Sequence, residues 1–337
     1  MEHPDQHPPT MAHLIRIDPR IFDDAAVDAE TRDMNEQLRV ATLELPARWE
    51  IPLEMERTMP PGGGIVPPMR ATPALRAEER VIDGPGGPLM LREIFPPADV
   101  PVRGVYLHFH GGGFCLGSAR GQDAMLERIA REAGVVAVSV DYRLAPEHPL
   151  PAAAADAEAA AWWMVRNAGA SYGAQRIVLG GESAGSALSV YCALRLRERH
   201  GYAALAGLNL SQGGYDLSLT PSMRQGSDAL VLNLPTFKVH LGRFLQGIAA
   251  DDPSVSSLYA DLRQLPRALF TIGTADPLLD DNLFMAMKWA AAGNQGELAV
   301  YPGGIHGFTF LPTALAREAA ARSERFIAAC VAEASAS

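Results

Sequence analysis

The chain has few cysteines, no long apolar run and no cluster of positive charge. Among 337 residues the cysteines are Cys115, Cys192 and Cys330, far apart and in no CxxC pair. An odd, scattered set excludes a disulfide framework and a zinc ribbon, and fits a reducing compartment. No apolar run approaches the roughly 18–20 residues of a membrane span, so no stable membrane anchor is expected. The first ten residues are polar and contain the adjacent prolines Pro8 and Pro9. A positive start followed by an apolar stretch, the mark of a secretory signal, is missing, and a cytoplasmic location is expected. There are 29 Lys and Arg against 39 Asp and Glu, a formal charge of −10. Without a basic stripe, nucleic acid is not an expected partner, and anionic lipid does not attract the chain.

What is present fits a globular protein with a large core: 48% hydrophobic and 20% charged residues. Residues 1–45 hold ten acids against four bases, so six of the ten excess negative charges lie there. The bland reading is a solvated helical face with a patchy apolar stripe at Met34, Leu38 and Val40 to Leu45. Residues 46–73 are rich in proline and glycine, a linker or irregular wrap rather than a helix.

From residue 79 the pattern changes. Glu79 to Ile82 and Leu89 to Phe95, joined by Asp83-Gly84-Pro85-Gly86-Gly87, read as a β-hairpin. Strands are then expected at Val102–Phe109, Val135–Val140, Arg176–Leu179, Leu205–Leu210, Ala268–Ile272 and Glu297–Tyr301. Helices are expected at Gln122–Glu132, Ala152–Asn167, Ala184–Arg199, Asp281–Ala292 and Pro312–Ala332. Alternation of this kind predicts an α/β fold: a mostly parallel central sheet with helices on both faces and ligands at the carboxyl ends of the strands. Residues 213–260 interrupt it. Their apolar residues, Leu230, Val231, Leu232, Leu234, Phe237, Leu241, Phe244 and Leu245, recur with helical spacing. That insertion and the N-terminal segment are candidates for a lid.

Four motifs carry chemistry. Gly181-Glu182-Ser183-Ala184-Gly185 lies between a predicted strand and a helix, the context of a nucleophile elbow. Its small residues let neighbouring backbone pass closely while Ser183 is pushed outward to a helix N-terminus. The bland reading of that serine is a plain helix N-cap. His110-Gly111-Gly112-Gly113-Phe114 follows a strand, and its exposed N–H groups, with that of Ala184, can form an oxyanion hole. A phosphate cradle of the dinucleotide kind fails, because the glycine required five residues after Gly111 is Leu116. Asp276-Pro277-Leu278 and His306-Gly307-Phe308 each follow a strand. The order Ser183, Asp276, His306 is that of a hydrolase triad, and one rim of the sheet can bring them together. Each alone has a structural reading; together, in order, they outweigh it.

Other acids and histidines compete for these roles. Asp280 and Asp281 open a predicted helix, where acids cap the first turn, so Asp276 is preferred. His3 and His7 lie in the polar start, and His200 and His240 on predicted helices. His108 and His110 form an HxH pair that suggests zinc, but no third ligand with metal-like spacing accompanies them, and no metal is expected. His148 lies in the segment Asp141 to Pro149, whose charges are expected to pair locally. Cys115 is read as a small buried apolar residue, the sharper reading being a thiol whose modification blocks the site.

With these residues in view, the chain from about 79 to 335 resembles the hormone-sensitive-lipase-like esterases, the bacterial class IV group. The resemblance rests on His110 to Phe114, Asp141 to Pro149, Gly181 to Gly185, Asp276 to Leu278 and His306 to Phe308. Glu182 departs from it, since better-known branches carry Asp or Thr there. The resemblance implies an α/β-hydrolase core at 76–212 and 261–337. It also implies a helical cap from residues 1–75 and 213–260. It implies short- to medium-chain carboxylic esters as small-molecule substrates, with no metal and no organic cofactor, and members often form homodimers. On this reading Ser183 is the nucleophile, His306 the base, Asp276 its partner, and Gly112, Gly113 and Ala184 the oxyanion donors. A neutral imidazole is the working base, so activity should fall in acid. Alternatives are an amidase or lactonase with the same triad, a metal-dependent hydrolase built on His108 and His110, or a ligand-binding receptor. Plant gibberellin receptors resemble this family but lack the triad histidine, which is present here as His306.

Overall fold

The computed structural model describes residues 17–43, 45–59 and 76–332. The polar start and the second half of the proline- and glycine-rich stretch, residues 60–73, lie outside these residues. In chain order the helices α1 (Ala29–Leu43) and α2 (Leu53–Thr58) precede the hairpin β1 (Arg76–Gly84) and β2 (Gly87–Phe95). There follow β3 (Gly104–Phe109), α3 (Asp123–Ala133), β4 (Val135–Val140), α4 (Ala152–Tyr172), β5 (Ile177–Glu182) and α5 (Ala184–His200). Then come β6 (Gly207–Ser211), α6 (Pro221–Gln225), α7 (Leu234–Phe244), β7 (Ala268–Gly273), α8 (Leu279–Ala291), β8 (Gly296–Tyr301) and α9 (Ala314–Ala332).

The strands form one eight-stranded sheet in the order β1-β2-β4-β3-β5-β6-β7-β8. Pairing is antiparallel from β1 through β4 and parallel from β4 to β8. Every residue of β3 to β7 is buried, which explains the unbroken apolar runs of the sequence. One face is packed by α4, α5 and α8, through side chains such as Met164, Leu188 and Trp289. The other is packed by α3 and α9, through Leu126, Ile129, Phe326 and Ile327. Helices α3 and α5 stop where the sequence indicated, at Gly134 and Gly201, both left-handed.

The boundaries moved where packing outweighed local signals. Helix α4 continues five residues past Asn167, because Ala168 still faces the core, and it ends at the left-handed Gly173. Strand β5 runs on through Gly180 and Gly181 to Glu182, paired on both sides.

Two readings outside the sheet need correction. Residues 46–59 are not an irregular wrap: a short 3-10 turn at Arg48–Glu50 precedes the six-residue helix α2. Pro52 stands at its N-cap, where proline breaks no hydrogen bond, and the six residues after it contain neither proline nor glycine. Residues 230–232 are not helical despite their spacing; Val231 adopts φ +66°. Helix α7 starts only after Asn233, whose side chain accepts from Thr236 N at 3.0 Å.

The apolar stripe of α1 is narrower than the sequence suggests. Leu38 is buried, while Val40 and Leu43 are exposed. The helix is tied down by Asn35, which donates to Gly303 O at 2.8 Å.

Candidate active site

The turn from β5 into α5 forces a close approach of backbone. A β-carbon on Gly181 or Gly185 would overlap the carbonyl of Phe109 on the neighbouring strand. Ser183 between them is held at φ +55°, ψ −116°, a conformation that costs a non-glycine residue about 1–3 kcal/mol. Strain of that size persists only where the surroundings dictate it: Ser183 N donates to Ser211 O at 2.9 Å, and Gly181 pairs with Phe109 and Leu210. The serine is thus more than an N-cap; its side chain makes no capping bond and lies within hydrogen-bond distance of His306.

Asp276 and His306 follow β7 and β8 at the same rim. Ser183 Oγ lies 3.0 Å from His306 Nε2, and His306 Nδ1 lies 2.9 Å from Asp276 Oδ2. An ionised carboxylate only accepts, so the proton between Asp276 and His306 belongs on Nδ1. Nε2 is then free to accept from the serine hydroxyl. Asp276 is buried, and its second oxygen accepts from Leu278 N at 2.9 Å.

A residue that sequence reasoning missed holds this pair together. Gln212, at the end of β6 with φ +51°, donates from Nε2 to Asp276 Oδ2 (3.1 Å) and to Ile305 O (2.9 Å). Its Oε1 accepts from Gly307 N at 3.1 Å. One amide therefore spans the acid and both neighbours of the histidine. The only hint in the sequence is its position, a polar residue one place past a strand end.

The glycine-rich loop after β3 lies beside Ser183. Gly112 and Gly113 take φ +117° and +57°, and Gly111 to Phe114, Ser183 and Ala184 border one cavity of about 530 Å³. Ala184 opens α5, where first-turn N–H groups have no intrahelical partner. Tyr142 braces the loop from behind. It donates to His110 O at 2.6 Å and stacks on the His110 ring at 4.2 Å. Burial holds the His110 imidazole down at about 4, so it is neutral at ordinary pH and Nδ1 bonds Gly111 O at 2.8 Å.

The HxH pair is used otherwise than for zinc. His108 Nδ1 lies 3.0 Å from Ser139 Oγ, and its Nε2 lies 3.0 and 3.2 Å from the Glu182 oxygens. The histidine of β3 and the acid of β5 thus cross-link the strand leading to the glycine loop and the one leading to the elbow. Among the described residues, no group of three His, Cys, Asp or Glu side chains could hold a metal ion.

The charges of 141–149 do not pair locally. Arg143 binds Asp156 on α4 at 2.8 Å, and Glu147 binds Arg57 on α2 at 2.7 and 2.8 Å. Asp280 and Asp281 do lie in the first turn of α8, yet both reach across to the insertion. Asp280 accepts from Ser222 N, and the fully buried Asp281 accepts from Tyr215 N, Asp216 N and Thr220 Oγ1. Cys115 is buried behind the glycine loop, and burial pushes its thiol up to about 11.

Much of the cavity lining is apolar, with Phe114, Leu217, Phe237, Phe244, Ile305 and Phe310 among its residues. Phe114 meets Phe244 edge-to-face at 4.8 Å, so the insertion packs directly on the residue after the glycines. Glu56, Arg57 and Arg48, from the segment before the sheet, complete the wall.

Known proteins share this architecture. A family model for the alpha/beta hydrolase fold matches residues 106–310. The chain is 35% identical over 245 residues to the esterase LipI of Mycobacterium tuberculosis, which covers 70% of this chain and 76% of LipI. It is 34% identical over 249 residues to the carboxylesterase NlhH of the same organism, covering 72% of this chain and 78% of NlhH. Among solved structures, a hyperthermophilic esterase from the archaeon Pyrobaculum calidifontis superposes with a TM-score of 0.82 at 31% identity. That match covers 89% of this chain and 98% of the other. Among the described residues, no helix is long and apolar enough to cross a membrane.

Proposed function

The chain belongs to the α/β-hydrolase family, in its hormone-sensitive-lipase-like group, and is a carboxylic ester hydrolase; from that premise we propose that it works through an acyl-enzyme on Ser183. The observation that carries this is the unbroken relay of Ser183 Oγ, His306 and Asp276 at 3.0 and 2.9 Å, opening into the apolar cavity.

Ser183 Oγ attacks the ester carbonyl carbon while its proton passes to His306 Nε2. Asp276 keeps the ring in the tautomer that leaves Nε2 free, and stabilises the imidazolium that forms. The tetrahedral oxyanion is received by the N–H groups of Gly112, Gly113 and Ala184. By analogy with single-donor deletions, each is worth about 3 kcal/mol of barrier. His306 then returns the proton to the leaving alcohol. Water, activated by the same imidazole, attacks the acyl carbonyl and frees the carboxylic acid. No step needs a metal or an organic cofactor.

A cavity of about 530 Å³ is in the range that holds small organic ligands, and its apolar wall suits an acyl chain of short to medium length. The N-terminal segment borders it through Arg48, Glu56, Arg57 and Met59, and the insertion through residues such as Phe237 and Phe244; on this reading residues 1–75 and 213–260 are the cap. The test is hydrolysis of p-nitrophenyl esters from acetate to palmitate, with wild type beside Ser183→Ala and a matched amide alongside. A Ser183-dependent rate that peaks at short or medium chains is the expected result. Turnover surviving in the purified Ser183→Ala protein rejects the assignment.

A further inference from the structure

The glycines that offer the oxyanion donors are the most adaptable backbone in the site, so something must hold them still. Donors help only when fixed where the charge develops, and a misplacement of about 1 Å can cost about a hundredfold in rate. Tyr142 braces the loop from the core side. From the cavity side, the imidazole of His240 on α7 presses against Gly113. The fit is so close that a β-carbon at Gly113 would overlap His240 Nδ1.

The opposite edge of that ring faces Glu56. His240 Nε2 lies 3.8 Å from Glu56 Oε1, is buried, and has no hydrogen-bond partner at closer range. Glu56 is itself almost fully buried, on the six-residue helix α2. Such a carboxylate is tolerated only among cations and donors. It has Arg48 at 3.0 Å and Arg243, from α7, at 3.3 Å. Burial alone would raise its pKa; the His240 ring and the Arg48 guanidinium overcome that and hold it at about 2.

Three segments distant in sequence therefore meet in one line: the N-terminal segment at Glu56, the insertion at His240, and the oxyanion loop at Gly113. All three residues border the cavity. The gap of 3.8 Å is longer than a hydrogen bond, and active-site bonds often tighten only when substrate is bound.

We propose that Glu56 and His240 are positioning residues: Glu56 holds His240 against Gly113, so that closing the cap and completing the oxyanion hole are one event. The inference rests on the esterase reading and adds to it a role for the N-terminal segment in the chemistry. Neither residue touches the reacting atoms.

The experiment uses the full-length chain with Glu56→Gln, His240→Gln and the double variant. For each, kcat and KM on p-nitrophenyl butyrate are measured together with inhibition by an alkyl trifluoromethyl ketone, whose serine adduct carries an oxyanion. Melting temperature and titration of active serine by a phosphonate correct for misfolded protein. Each single variant is expected to lose about 10- to 100-fold in kcat, with KM within about threefold. Ketone inhibition should weaken by the same factor, and the double variant should be no worse than the poorer single one. Loss confined to KM, unchanged ketone binding, or multiplying single effects overturns the proposal. If one variant fails to fold, the other still decides through the split between kcat and KM. A wild type lacking Ser183-dependent hydrolysis overturns the esterase reading instead, and the inference with it.

Discussion

Ser183, Asp276 and His306 stand just past the ends of three strands of one sheet and meet at 2.9 and 3.0 Å. Glu56 and His240 come from two segments outside that sheet and stand 3.8 Å apart. The first group is placed by strand register. Phe109 pairs with Gly181, Ser211 with Thr271 and Gly273 with Tyr301, so the rim exists once the sheet exists. The second group is placed by side chains: three cationic or basic residues around one carboxylate, and two phenylalanines at the joint. The backbone pairing that places the rim contains no titrating group, whereas the wall is held by charge contacts, and substitutions should separate the two.

The largest effect is expected at the rim. Ser183→Ala should remove turnover by about 10⁶-fold and Asp276→Asn by about 10⁴-fold, with melting temperature nearly unchanged, as steady-state kinetics beside calorimetry would read. If Ser183→Ala alone destabilised the protein strongly, the strained elbow would be contributing to stability, and the contrast would weaken.

Gln212→Leu tests whether the rim depends on its amide as well as on register. It leaves Gly307 N unpaired, at about 1–3 kcal/mol, takes one of two donors from Ile305 O, which keeps Phe308 N, and frees the loop that carries His306. Denaturant unfolding should show that loss, and kcat should fall about tenfold to a hundredfold. Retention of both would place the histidine under the control of Asp276 alone.

At the wall, Phe237→Ala should lengthen the preferred acyl chain in the p-nitrophenyl series and change kcat on the shortest ester only a few-fold. No shift in chain preference would mean that the acyl group lies elsewhere in the cavity.

Acid should loosen the wall. The Glu56 carboxyl lies at about 2 in the folded chain against an ordinary 4.5. A depressed acid adds stability above its unfolded value and loses it as pH falls through the folded one. Its contribution is therefore full above pH about 4.5 and disappears toward pH about 2. Trp49, partly exposed in the turn beside Arg48, is a local reporter. Its fluorescence should change across that window in wild type and much less in Glu56→Gln.

The smallest effect concerns Cys115. A buried thiol held at about 11 is protonated at neutral pH, and the thiolate is the reactive form. Alkylation by iodoacetamide at pH 7 should be slow in the folded protein and fast in denaturant. Rapid inactivation that Cys115→Ser abolishes would show that the loop in front of it opens.

Most of the rim was legible in the sequence because its signals are local. A strand followed at once by Gly-x-Ser-x-Gly, by three glycines, or by an isolated Asp or His carries both the position and the chemistry of each residue. Buried parallel strands also announce themselves as short apolar runs. The wall was not legible. Glu56 lies in a stretch whose prolines masked a six-residue helix, and His240 resembled any polar residue on a helix. Their meaning arises only when segments about 185 residues apart are packed together, and no periodicity encodes that. Gln212 belongs to the same class, since its work is done by contacts 64 and 95 residues away. Val231 shows the converse: helical spacing of apolar residues overstated the helix, because Asn233 starts it later.

The hairpin at the edge of the sheet has a consequence of a different kind. β1 presents Arg76, Glu78, Glu79, Arg80 and Asp83 along a strand that is exposed over much of its length. An edge strand offers unpaired backbone groups to any other chain, and side chains of both charges make such pairing costly in water. The five strands behind it, buried at every position, have no such protection of their own. Neutralising Arg76, Glu78 and Asp83, and sparing Arg80, which pairs with the buried Glu93, should leave hydrolysis intact and shorten the time a concentrated solution stays clear.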